Sequence, residues 1–362
     1  MINYEGQINV AIVGVGGAGQ AHIDYFNSIE GVNVKALLDP QKDLLEKVVQ
    51  RKNLNDIFIT AQYDQILELK DINVISICSP DQTHFEYSSK ALYAGKHVLC
   101  EKPMVTSISE CEQLINIVEK TGLVFTVQHQ MRFVPLFSTI ESIICSGQIG
   151  LPFVLEADYL HDLRKRANQY DSWRLDPANY HPPFLGGGCH FIDLFRWYTK
   201  SEVKEIFSYA NNLSFKEYPE ADTVMTILKF ENNCIGKILT SFACKRPMDF
   251  PIKIYGTKGT LVNNLMFIDN QIKKIIYEPP IGKKAKLILW MLQYLNVPYK
   301  EFPFDLYEHK LACRNSVLDF ITAVRTGRKP LVDVYEGAKT VIVCVAGTES
   351  YRKNKPVQIT GL

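Results

Sequence analysis

A chain of 362 residues is too long for one ordinary hydrophobic core, so two domains are expected. With 46% hydrophobic and 22% charged residues the composition is that of a globular enzyme. A formal net charge of +1 excludes a strong general field for nucleic acid or an acidic partner, so a ligand must be caught by a local site.

The first third alternates short apolar runs with amphipathic stretches. Strands are predicted at Ile8–Val13, Val32–Leu38, Ile57–Thr60, Val74–Cys78, His97–Cys100 and Val124–Gln128. Helices are predicted between them over Ala18–Ser28, Gln41–Lys52, Asp64–Leu69, His84–Ala94 and Ser109–Lys120, with Gly95 and Gly122 as stop signals. Such alternation with short connections means parallel β/α units with both sheet faces covered. After about Gln130 the rhythm changes. A helix near Leu136–Ser146 is followed by a strand at Phe153–Tyr159, an irregular polar stretch through Pro183, and a glycine triplet, Gly186–Gly188, that opens a helix through Tyr198. Strands then cluster at Val203–Asn211, Asp222–Phe230, Cys234–Phe242, Pro251–Tyr255, Gly259–Asn263 and Met266–Ile276, before helices at Leu311–Arg325 and Val334–Tyr351. The expected fold class is α/β: a doubly wound parallel sheet over residues 1–128, then an α+β domain with an open, mostly antiparallel sheet over residues 129–362.

Nine cysteines stand singly, with no CxxC or other ligand spacing, and read as reduced thiols of a cytoplasmic protein; no metal is expected. The Met1–Val10 segment lacks the basic and apolar regions of a signal peptide. Lys283–Lys286 followed by the apolar Leu287–Leu295 reads as an inserted helix at a subunit or domain interface, far too short to span a bilayer.

The run Gly14-Val15-Gly16-Gly17-Ala18-Gly19 fits GxGxxG. Its glycines allow a tight turn, backbone approach to a pyrophosphate and close helix–strand packing, while the following helix aims free N–H groups at the phosphates. Asp39 ends the next strand twenty positions after Gly19, where a carboxylate accepts ribose hydroxyls and repels a 2′-phosphate. NAD is therefore favoured, and NADP stays open because Lys42 lies close along the loop. Two further loops leave strand ends, where open α/β sheets bind ligands: Ser79-Pro80-Asp81-Gln82-Thr83-His84 and Glu101-Lys102-Pro103.

These motifs, with Ala94–Pro103, Arg132-Phe133-Val134-Pro135, Trp173-Arg174 and His190–Trp197 in the same order, resemble the glucose–fructose oxidoreductase / inositol dehydrogenase / MocA-type family. The resemblance implies an N-terminal Rossmann domain and hydride transfer between nicotinamide and a secondary alcohol of a sugar, inositol or nucleotide sugar. It implies that Gly14, Gly16, Gly17, Ala18, Gly19, Asp39, Ser79, Pro80, His84, Glu101 and Lys102 face the cofactor. Lys102 touches the substrate hydroxyl in that pattern, after a cis Lys102–Pro103 bond. His190 is the first choice for the acid/base group, with Lys102 as its partner.

One departure matters. The family carries an Asp-x-x-x-His pair, and the aspartate position is occupied here by Gly186. His181, Asp176 and Tyr159 are the candidate replacements. Arg132, Tyr159, Trp173, Arg174, His181 and Asp193 are expected around the substrate, with Asp171 and Ser172 beside them. The basic cluster His161, Arg164, Lys165 and Arg166 reads as a solvated loop or as a contact for an anionic substrate group. A homodimer or homotetramer is implied, since the open sheet face needs cover. Two alternatives remain: a redox-neutral lyase or glycosidase that oxidises transiently through held NAD, and a non-catalytic dinucleotide- and sugar-sensing regulator.

Overall fold

Why the first third folds as it does follows from its apolar runs, which supply strands buried on both faces. In the computed structural model, which describes residues 6–169, 172–177, 179–275 and 306–360, these are β1 (Ile8–Val13), β2 (Val32–Leu38), β3 (Phe58–Thr60), β4 (Val74–Ile77), β5 (His97–Cys100) and β6 (Phe125–Val127). All pair in parallel in the order β3-β2-β1-β4-β5-β6. Helices α1 (Gly17–Asn27), α2 (Lys42–Arg51), α3 (Tyr63–Glu68), α4 (His84–Tyr93) and α5 (Ile108–Thr121) cover the sheet. Helix α5 shows how local the signals are: Ser107 and Glu110 form a capping box, and Gly122 ends the helix at φ 65°. The order of strands reverses between β1 and β4, which places a crevice at their carboxyl ends.

Helix α6 (Pro135–Cys145) leads into β7 (Pro152–Leu160), α7 (Arg164–Gln169) and α8 (Cys189–Thr199). The strands that follow are β8 (Val203–Asn211), β9 (Thr223–Phe230), β10 (Ile235–Ser241), β11 (Ile252–Gly256), β12 (Gly259–Val262), β13 (Leu265–Ile268) and β14 (Gln271–Lys274). With β15 (Val357–Gln358) they form a nine-stranded sheet, β14-β13-β12-β11-β7-β10-β9-β8-β15, in which only β7–β10 is parallel. Its inner face is core. Its outer face exposes Tyr209, Met225, Ile227 and Ile235, and the alternation along β9 puts Val224, Thr226, Leu228 and Phe230 on the buried side.

Three expectations are corrected. The single strand Met266–Ile276 is a hairpin, because Asp269 and Asn270 take positive φ (48° and 59°) and turn the chain between β13 and β14. The glycine triplet does not open a regular helix; Phe184–Gly188 is a π-helical turn ahead of α8. The irregular stretch before it contains α7 and a short 3₁₀ turn at Ser172–Leu175.

The last two helices, α9 (Leu306–Thr326) and α10 (Val334–Lys353), return to the first sheet. Val317, Phe320, Ile321 and Val324 of α9 share one buried cluster with Ile8, Val10, Ile12 and Phe26. A Cβ at Gly337 of α10 would lie 2.5 Å from Val127 and 2.7 Å from Met104, so that helix packs on the end of β6 at close range. The chain thus crosses back over its two sheets, and packing does not follow the chain-order division at residue 128. All nine cysteines are unbridged. Asp171 and the Lys283–Leu295 segment lie outside the described residues.

Candidate active site

The cradle at the crevice is built from backbone. Gly14 takes φ +86°, and a Cβ there would meet the Cys78 carbonyl and Ser79 N at 2.8 Å, so the loops after β1 and β4 touch. A Cβ on Gly19 would lie 1.9 Å from the Gly14 carbonyl oxygen, which only glycine allows. Gly16 and Gly17 face open space, and no side chain caps the N-terminus of α1. An uncapped helix start beside a side-chain-free turn fits a pyrophosphate. Asp39, at the end of β2, accepts from Val15 N (3.0 Å) with Oδ2 and from Gln41 N (3.0 Å) with Oδ1. Its carboxylate therefore stiffens the cradle.

The loop after β4 is braced internally. Ser79 Oγ and Thr83 Oγ1 are 2.6 Å apart, and Thr83 donates to the Pro80 carbonyl at 2.8 Å. His84, expected against the cofactor, is instead fully buried, with Nδ1 2.7 Å from the Pro103 carbonyl and Nε2 2.9 Å from the Ser79 carbonyl. Two carbonyl partners require both ring nitrogens to donate, so His84 is an imidazolium that ties the two cofactor-side loops together. Burial opposes that charge, but Cys100, Asp81 and the Pro103 carbonyl outweigh it and raise the pKa to about 10.

After β5 the Glu101 carboxylate contacts the buried His22 at 3.2 Å and accepts from Lys102 N at 3.2 Å. Burial would raise the Glu101 pKa; the bond and charge of His22 prevail and lower it. The Lys102–Pro103 bond is cis. Lys102 Nζ then reaches across to the second sheet's side and donates to the Gly186 carbonyl at 2.6 Å.

The three glycines of the π-helical turn each face a ring where a side chain would stand. A Cβ at Gly186 would lie 2.5 Å from His181 Nε2, at Gly187 2.7 Å from the Tyr159 ring, and at Gly188 2.4 Å from Phe184. Rings from three directions fill the space that side chains would take. His190, at the start of α8, is 3% exposed and stacks on Tyr159 with centroids 5.7 Å apart. Its Nδ1 has no hydrogen-bond partner. Burial, aided by Lys102, His129 and His309, holds its pKa well below the ordinary value, so the ring is neutral.

Residues expected around the substrate divide into two groups. Tyr159, Trp173, Arg174 and His181 gather by the turn: the Arg174 guanidinium lies 4.2 Å over the Trp173 ring, and Trp173 and His181 have centroids 5.4 Å apart. Arg132 and Asp193 differ from the expectation. Arg132 donates to Asp193 (2.8 and 2.7 Å) and to Glu336 (2.6 Å), leaving a buried network that joins the 3₁₀ turn Gln130–Phe133, α8 and α10. Both groups are spent on each other. Asp176 takes a bond from Asn179 at 2.7 Å on the surface, and Arg164 is paired with Asp162, which neutralises part of the basic cluster.

Two residues escaped assignment from sequence. Asp81 stood inside a quoted motif without a role, and His129 follows β6 directly, at a strand end where ligands bind. Among the described residues, His129, Cys189 and His190 bring three atoms of metal-ligand type within 4.8 Å of one another. Burial pushes the Cys189 thiol up to about 12 and His129 down to about 4, so the trio is a neutral lining beside Lys102.

The comparisons with known proteins follow this geometry. Residues 8–129 match the model of an oxidoreductase family with an NAD-binding Rossmann fold, and residues 142–359 match the same family's C-terminal alpha/beta domain. The chain belongs to this oxidoreductase family. Other members share its full length: it is 22% identical to myo-inositol 2-dehydrogenase of Thermotoga maritima, over 97% of this chain and 98% of that one. An uncharacterised oxidoreductase of Bacillus subtilis is 30% identical over 70% of this chain and 73% of its own. Among solved structures, levoglucosan dehydrogenase in complex with NADH superposes with a TM-score of 0.82 at 21% identity, covering 98% of this chain and all of that one. For scyllo-inositol dehydrogenase of Lactobacillus casei, bound to NAD(H) and scyllo-inositol, the TM-score is 0.79 at 18% identity, over 97% of this chain and 99% of that one. As a member of the family, this oxidoreductase carries the NAD-binding domain at its N-terminal end and the substrate-side α/β domain after it.

Proposed function

We propose that this protein is an NAD-dependent dehydrogenase oxidising a secondary alcohol of an inositol, sugar or nucleotide sugar. Residues 1–128 hold the dinucleotide, through Gly14, Gly16, Gly17, Ala18, Gly19, Asp39, Ser79, Pro80 and Glu101, and residues 129–362 supply the substrate side. When bound, NAD supplies the hydride acceptor. Lys102 binds the reacting hydroxyl, His190 Nδ1 offers it a second hydrogen bond, and Tyr159, Trp173 and Arg174 exclude water and hold the ring. The observation carrying this reading is the Lys102 Nζ–Gly186 carbonyl bond, which joins the cofactor-side loop to the turn preceding His190. Positioning of two reactants across such a junction supplies most of the rate.

Relatives named for inositol and levoglucosan oxidation support the substrate class. The unbridged cysteines support a cytoplasmic location, and no helix among the described residues is long and apolar enough to cross a membrane. The exposed Met225 and Ile227 support a homodimer or homotetramer closed over the outer sheet face. The test is a screen of myo-inositol, scyllo-inositol, levoglucosan and nucleotide sugars with NAD, read at the reduced-nicotinamide absorbance. Reduction by at least one polyol is expected. Binding of NAD with no reduction across the whole panel would overturn the assignment.

A further inference from the structure

Two buried groups outside the Lys102–His190 pair face one another across the crevice. His181 Nδ1 contacts Asp81 Oδ2, and neither atom has another partner. Asp81 comes from the loop after β4, and His181 from the segment leading to the π-helical turn. We infer that His181 takes the hydroxyl proton during alcohol oxidation and that Asp81 is the positioning residue behind it, a dyad assembled only when the two sheets' loops meet. The inference rests on the dehydrogenase reading and deepens it.

Geometry supports the dyad in three ways. With Nδ1–H directed at Asp81, the tautomer is fixed and the Nε2 lone pair points away from the carboxylate. That Nε2 accepts from Arg174 Nη1 at 2.6 Å, so the lone pair is already in use as an acceptor and a substrate hydroxyl can replace the guanidinium there. The same Nε2 lies against Gly186, whose carbonyl receives Lys102 Nζ, so imidazole and ammonium flank one residue.

The charges facing His181 are Asp81, Arg174 on its own segment and Lys102 from the loop after β5. Burial keeps the ring below the ordinary histidine value, against the pull of Asp81, so it is neutral and able to accept a proton. His181, Arg174 and His84 outweigh burial at Asp81 and hold it ionised. His190 has no such support: the Lys102 ammonium and the rings of His129 and His309 face it, and the adjacent Asp193 is committed to Arg132. An imidazolium formed at His181 faces a carboxylate and one at His190 does not, so His190 keeps a hydrogen-bonding role.

The step balances as follows. The O–H bond breaks and its proton goes to His181 Nε2; the C–H bond breaks and its electron pair leaves with the hydrogen to the nicotinamide; the carbon–oxygen double bond forms. The imidazolium faces the Asp81 carboxylate until solvent takes the proton.

Two measurements test this. In the first, independent of turnover, ¹H NMR of the ¹⁵N-histidine-labelled protein with NAD is expected to show a far-downfield Nδ1 proton that disappears in Asp81→Asn and persists in His190→Gln. Its absence from the wild type, or its survival in Asp81→Asn, overturns the dyad. In the second, myo-inositol and levoglucosan are the probes. His181→Gln is expected to lower kcat by about a hundredfold or more with little change in KM, within the range of lost acid–base catalysis. Asp81→Asn is expected to lower kcat and displace the acidic limb of the kcat/KM–pH profile. Gly186 is not a positive-φ glycine, and with the His181 ring gone the nearest remaining obstacle to a Cβ there is Phe242 Cζ at 3.2 Å, the end of a side chain that can shift slightly. His181→Ala/Gly186→Asp is therefore expected to recover activity over His181→Ala, with the acidic limb moved to lower pH. Near-normal kcat in His181→Gln, or an unmoved limb in the double variant, overturns the proposal. Failure of both probes with the wild type counts against the dehydrogenase reading, and the NMR result still decides the dyad.

Discussion

Lys102 and Gly186 are joined by a 2.6 Å hydrogen bond from an ammonium to a backbone carbonyl, across 84 positions of chain and between two sheets. A lysine that reads a carbonyl needs no side chain at position 186. The space above that residue belongs to His181, whose Nε2 would be 2.5 Å from any Cβ there. Loss of a side chain at one position and the presence of an imidazole at another are thus one packing event, and it fixes where the cofactor-side loop ends.

Asp39 is the proposed reader of the coenzyme's ribose. Its two oxygens hold Val15 N and Gln41 N, so Asp39→Ala removes the ribose acceptor and loosens the cradle together. Fluorescence titration is expected to give at least a tenfold weaker affinity for NADH, about 1.4 kcal/mol, and a smaller loss or a gain for NADPH. Equal losses for the two coenzymes would contradict the role.

His84 gives the cofactor-side loops a pH-dependent tie. Its pKa is raised from 6.5 to about 10 in the fold, so its contribution is fully present below pH 6.5 and is lost as pH rises through about 10. The gap in Tm between wild type and His84→Gln is expected to be widest near pH 6 and to close toward pH 10. A gap that does not vary with pH would mean that the ring is neutral.

Arg132 holds Asp193, which is completely buried, together with Glu336. Arg132→Met leaves an unpaired carboxylate in the interior. Denaturant unfolding is expected to show a loss of about 3–5 kcal/mol, as when one partner of a buried pair is removed. A loss below about 1 kcal/mol would show that water reaches Asp193.

The outer sheet face makes a prediction about assembly. Ile227 is 46% exposed between the outward Met225 and Lys229 of β9. Ile227→Asp is expected to reduce the mass seen by light scattering from a dimer or tetramer to a smaller species. A wild type that is already a monomer would remove the proposal.

Local signals made the first sheet readable: its strands are apolar runs, Gly95 and Gly122 follow two of its helices, and the Gly14–Gly19 loop and the Glu101-Lys102 pair follow strand ends. Position 186 was also recognisable as a departure from the resembling family, whose aspartate stands four places before His190. What escaped depended on contacts between distant segments. Asp81 meets His181 across a separation of 100 positions, and Arg132 finds partners 61 and 204 positions away, so its expected role at the substrate gave way to an internal pair. The β13–β14 hairpin was missed for a different reason. Its Asp269-Asn270 turn lies within a stretch where isoleucines recur on both sides, and the positive φ of both residues is visible only in the backbone.

The most direct measurement is single-turnover reduction of NAD by Lys102→Ala, compared with NADH binding by the same variant. The Gly14–Gly19 cradle is built from backbone that Lys102 does not hold, so NADH affinity is expected to remain within about threefold of the wild type, roughly 0.7 kcal/mol. The rate of reduction is expected to fall by about a thousandfold, because the hydroxyl loses the group that binds and orients it. A reduction rate close to that of the wild type would contradict the central claim that chemistry occurs where Lys102 meets the Gly186 turn.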